Sequence, residues 1–428
     1  MLKGQLERLE RLINWEQRSR GATATGTQAS GMRVTVEPAS DLLARLGHPE
    51  NKFRVVHVAG TKGKGSVASL VAGGLEAAGI RTGVFASPHV ERVNERIRIG
   101  GAQIDDDELA LVLKLALDAQ VAATREETAA ITASWFDILT AAGMLAFGRQ
   151  NVIWAVVECG LGGRLDSTNA LSGEVCVVTN IDLEHTDVLG TTRAEIAAEK
   201  VGIVDRGATL VTRVERGSEA GAVIEARARE LGVTVLRPDV ESETIEDENL
   251  ALAEEVLGEL KRRGVCDSKG EPLSTKISQE VQLSALLPGR LEVREFKGVR
   301  VLLDGAHVPS SLERVLCDFE RMGLLSGGPV VAVLGVGQDK QLDGLLKVLH
   351  KTVDRLVCTS VGSGPVRSPG QILEAATELF PSAEKADGPR VALNRAIDLA
   401  TPTGVVLVTG SLHLIGALRP FLSPTNRC

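Results

Sequence analysis

Glycine and lysine, the two residue types best suited to holding phosphate, alternate in Val55-Val56-His57-Val58-Ala59-Gly60-Thr61-Lys62-Gly63-Lys64-Gly65-Ser66, an apolar run that enters a turn. When such a turn follows a strand and opens a helix, its backbone N–H groups and the helix N-terminus form an anion cradle for nucleotide phosphates. In that reading Gly60, Thr61, Lys62, Gly63, Lys64, Gly65 and Ser66 surround the phosphates, Lys64 reaches the β and γ positions, and Ser66 ligates magnesium. The common pattern G-x4-G-K-[ST] is not met: Val58 stands where its first glycine belongs, and Gly65 separates Lys64 from Ser66. A purely structural turn is the competing reading.

A second apolar run, Ile153–Glu158, ends on a carboxylate. Doubly wound sheets bind ligands at the carboxyl ends of their strands, so Glu158 can face the magnesium held by Ser66; a glutamate that merely caps a helix is the alternative. Immediately after it, Gly160-Leu161-Gly162-Gly163-Arg164-Leu165-Asp166 gives the backbone the freedom to approach a ligand closely. Histidine 185 lies in the loop after another strand-like run, where a solvated side chain is the plain alternative to a ligand.

These groups need elements to position them. Arg54–Ala59, Gly83–Ala86, Ile153–Glu158, Val175–Asn180 and Thr209–Val214 read as buried strands, separated by helical segments near 66–79, 106–123, 134–149, 193–203 and 218–231. Continuous apolar strands between helices imply a mostly parallel sheet covered on both faces, an α/β fold. The rhythm restarts with Arg300–Asp304, Val330–Leu334, Leu356–Thr359 and Val405–Thr409, a smaller doubly wound domain. The division expected is 1–290 and 291–428, with a hinge at 288–291 after an acidic stretch at Asp239–Asn249. Leu2, Leu6, Leu9, Leu12 and Ile13 recur at helical spacing and predict an opening amphipathic helix. Ser19 to Gly31 has no periodicity and reads as a loop, either linker or lid.

Composition narrows the classes. A net charge of −8 opposes a nucleic-acid partner, and no apolar run approaches the ~18 residues of a membrane span. The charged N-terminus lacks a secretory pattern, and six cysteines without a C-x-x-C pair read as reduced thiols, so a cytoplasmic monomer is expected.

Further motifs follow in order: Ser87-Pro88-His89 with Asn94-Glu95-Arg96-Ile97-Arg98, Phe136-Asp137-Ile138-Leu139-Thr140-Ala141, Glu184-His185-Thr186-Asp187-Val188-Leu189-Gly190, Glu199-Lys200-Val201-Gly202-Ile203, Pro288-Gly289-Arg290, Asp304-Gly305-Ala306-His307 and Gly410-Ser411-Leu412. With the Gly60–Ser66 turn and Glu158–Asn169 they span nearly the whole chain, which resembles the folylpolyglutamate and dihydrofolate synthases, the folate branch of the Mur ligases. The resemblance implies an N-terminal ATPase domain with a P-loop-type doubly wound sheet and a C-terminal Rossmann-like domain that closes over ATP and glutamate. It implies an ATP-dependent ligase adding L-glutamate to a folate or dihydropteroate carboxylate through an acyl phosphate. Ser87, Pro88 and His89 would lie beside the pterin, with Phe136 and Trp135 available to stack on it or to pack in the core, and Gly162, Arg164 and Asp166 would contact substrate. Arg290, Asp304 and His307 would contact ATP, as would Asn249 near the adenine, where a helix-capping role is equally open. Ser66 and Glu158 would hold one magnesium, and His185 with a carbamylated Lys200 a second, together with a monovalent cation. The plain alternative for Lys200 is a surface lysine paired with Glu195 or Glu199. Ser411 would serve glutamate, while Val308 and His413 depart from the Asn and Tyr common there and leave amino-acid choice open. Dihydropteroate, tetrahydrofolate or both could be the acceptor. A Mur-type ligase with another acceptor and a non-catalytic ATP-binding module are the competing classes.

Overall fold

The structure, a computed structural model, describes residues 1–14, 35–239, 244–325, 327–362, 365–400 and 403–424. The expected Ser19–Gly31 loop, Cys428 and residues 240–243 of the acidic stretch lie outside the described residues. Those described form two compact units, divided between Leu286 and Leu287.

In the first unit the strands are β1 (Arg54–Ala59), β2 (Thr82–Phe85), β3 (Ile97–Ile99), β4 (Ala102–Gln103), β5 (Trp154–Glu158), β6 (Val175–Val178), β7 (Thr209–Thr212) and β8 (Thr234–Leu236). They lie in the order β4-β3-β2-β5-β1-β6-β7-β8, with β3 and β4 antiparallel at one edge and the rest parallel. The helices are α1 (Leu2–Glu10), α2 (Glu37–Arg45), α3 (Lys64–Ala77), α4 (Asp106–Glu126), α5 (Trp135–Arg149), α6 (Thr186–Leu189), α7 (Arg193–Val201), α8 (Glu219–Leu231), α9 (Ile245–Arg262) and α10 (Gln279–Ser284).

Side chains alternate across a strand, and β1 uses both faces. Val56 and Val58 pack with Val67, Val71 and Leu75 of α3 and with Leu252 and Val256 of α9. Val55 packs on the other side with Leu113 of α4 and Ile138 and Phe147 of α5. Full burial of each such side chain contributes about 1.5–3 kcal/mol, so the centre of this sheet is its most firmly held part. The functional loops leave from the carboxyl ends of β1, β5 and β6.

The second unit contains β9 (Glu292–Phe296), β10 (Val299–Leu303), α11 (Pro309–Arg321), β11 (Val330–Leu334), α12 (Leu342–Leu349), β12 (Arg355–Cys358), α13 (Pro369–Ala376), β13 (Glu384–Lys385), α14 (Pro389–Ala400), β14 (Val405–Thr409), α15 (Leu412–Leu418) and β15 (Ser423–Pro424). The order is β13-β12-β11-β14-β10-β9-β15, parallel except for β9 and β15. Leu302, Ala332, Leu334, Leu356 and Leu407 face Leu312, Phe319, Leu345 and Ile372 in its core.

The predicted central strands are present with ends shifted by a residue or two, and the edges differ more. The short β3, β4 and β8 escape a search for long apolar runs, as does β9, whose Glu292-Val293-Arg294-Glu295-Phe296 mixes charge with apolar residues as edge strands do. Helix α3 starts at Lys64, two residues before the expected 66, because Gly63 at φ 79° forms its left-handed entry. Among the described residues no helix is long and apolar enough to cross a membrane.

Candidate active site

The loop from β1 to α3 is shaped by two glycines. At Gly60 (φ 146°) a Cβ would lie 1.9 Å from Thr179 Oγ1, and at Gly63 it would lie 2.3 Å from Asn249 Oδ1. No side chain fits at either place, which leaves the backbone itself facing whatever binds. The loop is tied to the residues after β6: Lys62 N donates to Asn180 Oδ1 (2.9 Å), Thr61 N to the Asn180 carbonyl (3.0 Å), and Thr179 Oγ1 to the Lys62 carbonyl (2.6 Å). Lys64 Nζ donates weakly to the Thr61 carbonyl at 3.4 Å, on the loop it belongs to. Ser66 occupies the third position of α3, and Asn249 is buried in the first half of α9 against Gly63. Thr179 and Asn180 were not singled out by sequence, although a polar pair closing the apolar run Val175–Val178 was the available signal.

Lys200 is buried in α7, and its Nζ donates 2.8 Å to the Gly60 carbonyl. Glu199 instead pairs with Arg164 (2.6 Å), and Glu195 caps α7 through Thr192. The surface pairing with Glu195 or Glu199 is therefore ruled out. Burial, aided by the positive charge of Lys64, lowers the Lys200 ammonium to about 7, while the charge of Glu184 acts in the opposite direction. This brings Lys200 to the Gly60–Ser66 loop and the segment before His185 into its electrostatic reach. His185 itself sits at φ 52° at the start of α6.

Glu158 ends β5 buried, and its Oε2 accepts from Ser87 N at 3.0 Å. Ser87-Pro88-His89 is pinned further along as well: Val90 N donates to Glu95 Oε2, and Glu91 N and Arg92 N donate to Glu95 Oε1. Phe136 is half-buried, 5.8 Å from the Phe85 ring, and lies so close to Gly160 that a Cβ there would fall 2.6 Å from its ring. Trp135 is buried with the Arg96 guanidinium 4.8 Å above its ring, so of the pair only Phe136 is placed to meet a flat ligand.

The loop after β5 folds around Asp166. Its carboxylate accepts from Leu161 N (2.8 Å), Thr168 N (3.1 Å) and Thr168 Oγ1 (2.6 Å), and burial pushes its carboxyl above the usual range. Beneath it, His57 of β1 contacts Thr168 Oγ1 at 2.9 Å and Cys159 Sγ at 3.2 Å, and burial lowers the imidazole to about 4. Asp166 thus organises the glycine-rich turn from inside, while Arg164 is exposed on its ion pair.

In the second unit Asp304 plays the comparable part. Its buried carboxylate accepts from Leu291 N (2.9 Å) and Ala306 N (2.8 Å), and burial raises its carboxyl against the pull of Arg290. Gly305 N donates to the Gly289 carbonyl (3.1 Å), which sets Arg290 beside this turn, and His307 Nδ1 lies 3.0 Å from the Gly305 carbonyl. Ser411 Oγ accepts from His413 N at the start of α15, and Val308 precedes α11.

For a metal, Ser66 and Glu158 supply a hydroxyl and a carboxylate, the oxygen donors that magnesium prefers. Among the described residues no three His, Cys, Asp or Glu side chains form a ready metal cluster.

Residues 289–412 match the family described as Mur ligase, glutamate ligase domain. The chain is 30% identical to the dihydrofolate synthase/folylpolyglutamate synthase of Escherichia coli over 89% of each chain. It superposes on the structure of the E. coli protein in complex with DHPP and ADP with a TM-score of 0.78 at 27% identity, covering 98% of this chain and 97% of that one. A bifunctional folylpolyglutamate synthase/dihydrofolate synthase with Mn, AMPPNP and L-glutamate bound gives 0.77 at 27% identity, with the same coverage.

Proposed function

The chain belongs to the folylpolyglutamate synthase/dihydrofolate synthase family, and from that premise we propose that it joins L-glutamate to the carboxylate of a reduced folate or of dihydropteroate at the expense of ATP. The observation that carries the reading is the turn Gly60–Ser66, in which neither Gly60 nor Gly63 has room for a side chain, with the buried Lys200 amine on its first carbonyl.

A carboxylate oxygen is a poor leaving group, and transfer of the γ-phosphoryl group of ATP converts it into a good one. The acceptor carboxylate attacks phosphorus, the bond to the β-phosphate oxygen breaks, and ADP leaves. The amine of glutamate then attacks the acyl phosphate, loses its proton, and inorganic phosphate departs. Catalysis of phosphoryl transfer is mostly positioning and electrostatics. Lys64 and the loop amides hold the phosphates in place, and in the second unit Arg290, Asp304 and His307 are assigned to the nucleotide, with Asn249 serving the base from α9. Ser66 and Glu158 would hold magnesium, which would supply positive charge to offset the charge spreading over the transferred group.

Lys200 and His185 are assigned to a second magnesium, Lys200 as its carbamate. Its burial supports this, because lowering the amine to about 7 gives it a substantial neutral fraction near neutral pH, and the neutral form adds carbon dioxide, loses a proton and becomes an anionic oxygen donor. Phe136, Ser87, Pro88, His89, Gly162, Arg164 and Asp166 are assigned to the acceptor, and Ser411 to glutamate.

Incubation with ATP, glutamate and either dihydropteroate or tetrahydrofolate, with ADP and product mass followed, tests the reading. ADP release that depends on an acceptor, with a mass gain of one glutamyl residue, supports it and shows which acceptor is used. ATP binding without acceptor-dependent ADP release for any pterate or folate would leave a nucleotide-binding module instead.

A further inference from the structure

We infer that Arg96 is a positioning residue that makes His89 a hydrogen-bond donor toward the acceptor substrate, which must therefore present a lone pair at that place. This deepens the reading above and rests on its assignment of the Ser87–His89 loop to the acceptor. Arg96 Nε donates to His89 Nδ1 at 2.8 Å. A guanidinium has no acceptor, so Nδ1 must be the bare nitrogen of the imidazole and the ring proton resides on Nε2. The orientation of one buried cation thus sets the tautomer of a half-buried histidine.

The arrangement is fixed from several sides. Arg96 is 2% exposed, its guanidinium is 4.8 Å from the Trp135 ring, and its carbonyl accepts from Ala86 N (3.0 Å), the residue from which the Ser87–His89 loop departs. Trp135 is the first residue of α5, held by the reciprocal cap of Ser134 and Asp137. Asp137 Oδ1 also accepts from Ser167 Oγ (2.6 Å), next to Asp166 and Thr168. The helix that carries Phe136 therefore also carries the ring that holds Arg96, so the aromatic and the cation that orients His89 are packed against one another's element. The matching groups on a pterin are its ring carbonyl oxygen and its unprotonated ring nitrogens.

The test uses the full chain with 15N-labelled histidine, His89 being identified by the signals lost in His89→Gln. Two-bond 15N–1H spectra of the ligand-free protein should show His89 protonated on Nε2 and bare on Nδ1. Arg96→Met should admit the other tautomer and raise the KM for the pterin acceptor roughly tenfold, the worth of one hydrogen bond, with the KM for ATP nearly unchanged. Arg96→Lys, which keeps a donor but not the planar stack, should recover part of the loss. His89→Gln, whose amide N–H can stand near the Nε2 position, should stay closer to the parent than His89→Leu. A proton on Nδ1 in the parent, equal rises in both KM values, or no change in either would overturn the inference. If the parent turns over no pterin acceptor at all, the proposed function fails while the spectra still judge the tautomer.

Discussion

Two turns, Gly60–Ser66 in the first unit and Asp304–His307 in the second, both follow a buried parallel strand, yet they are built in opposite ways. The first is shaped by what it lacks. Gly60 and Gly63 sit where a Cβ would strike Thr179 and Asn249, and the turn is held from outside by Asn180, Thr179 and Lys200. The second is shaped by what it buries, a carboxylate that gathers Leu291 N and Ala306 N. A turn of the first kind presents backbone amides, apart from those of Thr61 and Lys62, which Asn180 takes. A turn of the second kind spends its charge on its own backbone and offers the side chains beside it, Arg290 and His307.

The sharpest way to break this contrast is in the first turn. Lys64→Ala should lower ligase kcat/KM by about a thousandfold or more, because its charge acts on the transferring phosphoryl group. Near-normal turnover would remove the phosphate-loop assignment. Gly60→Ala should come close to it, since the added carbon has no room at φ 146°. Gly305→Ala should cost less, because Gly305 is not in the left-handed region and the added carbon would meet only side-chain atoms of Leu412 and Arg290, whereas at Gly60 it would also meet the Thr179 backbone N at 3.0 Å. Equal losses in a side-by-side assay would erase the distinction between the turns.

Lys200→Ala comes next, with activity expected to fall about a hundredfold, as loss of a metal-tuning group does. Millimolar bicarbonate or a short carboxylate should restore part of it by filling the vacated ligand position. Full turnover at limiting magnesium would end that assignment.

In the second turn the expected effect is on stability. Asp304→Ala leaves two buried amides without an acceptor, worth about 1–3 kcal/mol, whereas Asp304→Asn keeps one carboxamide oxygen and should lose less. Denaturant titration of both variants checks the order. If Asn is the worse of the two, its NH2 group opposing the second backbone N–H costs more than the retained hydrogen bond contributes.

The last effect is a slope, small over any one pH unit. In carbon-dioxide-free buffer, between the lowered Lys200 value of about 7 and its ordinary 10.5, the unfolded chain holds a proton that the folded chain has released. Stability must therefore rise with pH across that window, by at most ~1.4 kcal/mol per pH unit, and stay flat below it on account of this group. Lys200→Met should remove the slope, and an unchanged profile would show that the lysine is hydrated.

How much of this was legible follows from the same contrast. Glycines and strand-end acids advertise themselves, so the phosphate turn, Glu158 and Asp304 could be picked out from their place after apolar runs. Lys200 on its own residues allowed a surface reading. A closer look at helical spacing would have excluded it, since Ile196, Ala197 and Val201 are buried and Lys200 shares their face of α7. Trp135 was ambiguous because nothing local says that Arg96, far earlier in the chain and in another element, covers its ring. The edge strands were missed because β3, β4 and β8 are too short for a pattern and β9 carries charge.

The strand order of the first sheet also has a consequence in time. β5 lies between β2 and β1, so Val55 pairs with Ala155 and Gly83 with the same Ala155, residues made long after the turn they support. During synthesis the glycine-rich turn emerges on a strand with neither neighbour present, and Thr179, Asn180 and Lys200 arrive later still. Contacts so distant along the chain close slowly. A growing chain halted before Trp154 would carry the whole Gly60–Ser66 motif and still lack the strands that flank β1, with the edges of β1 open to any passing strand.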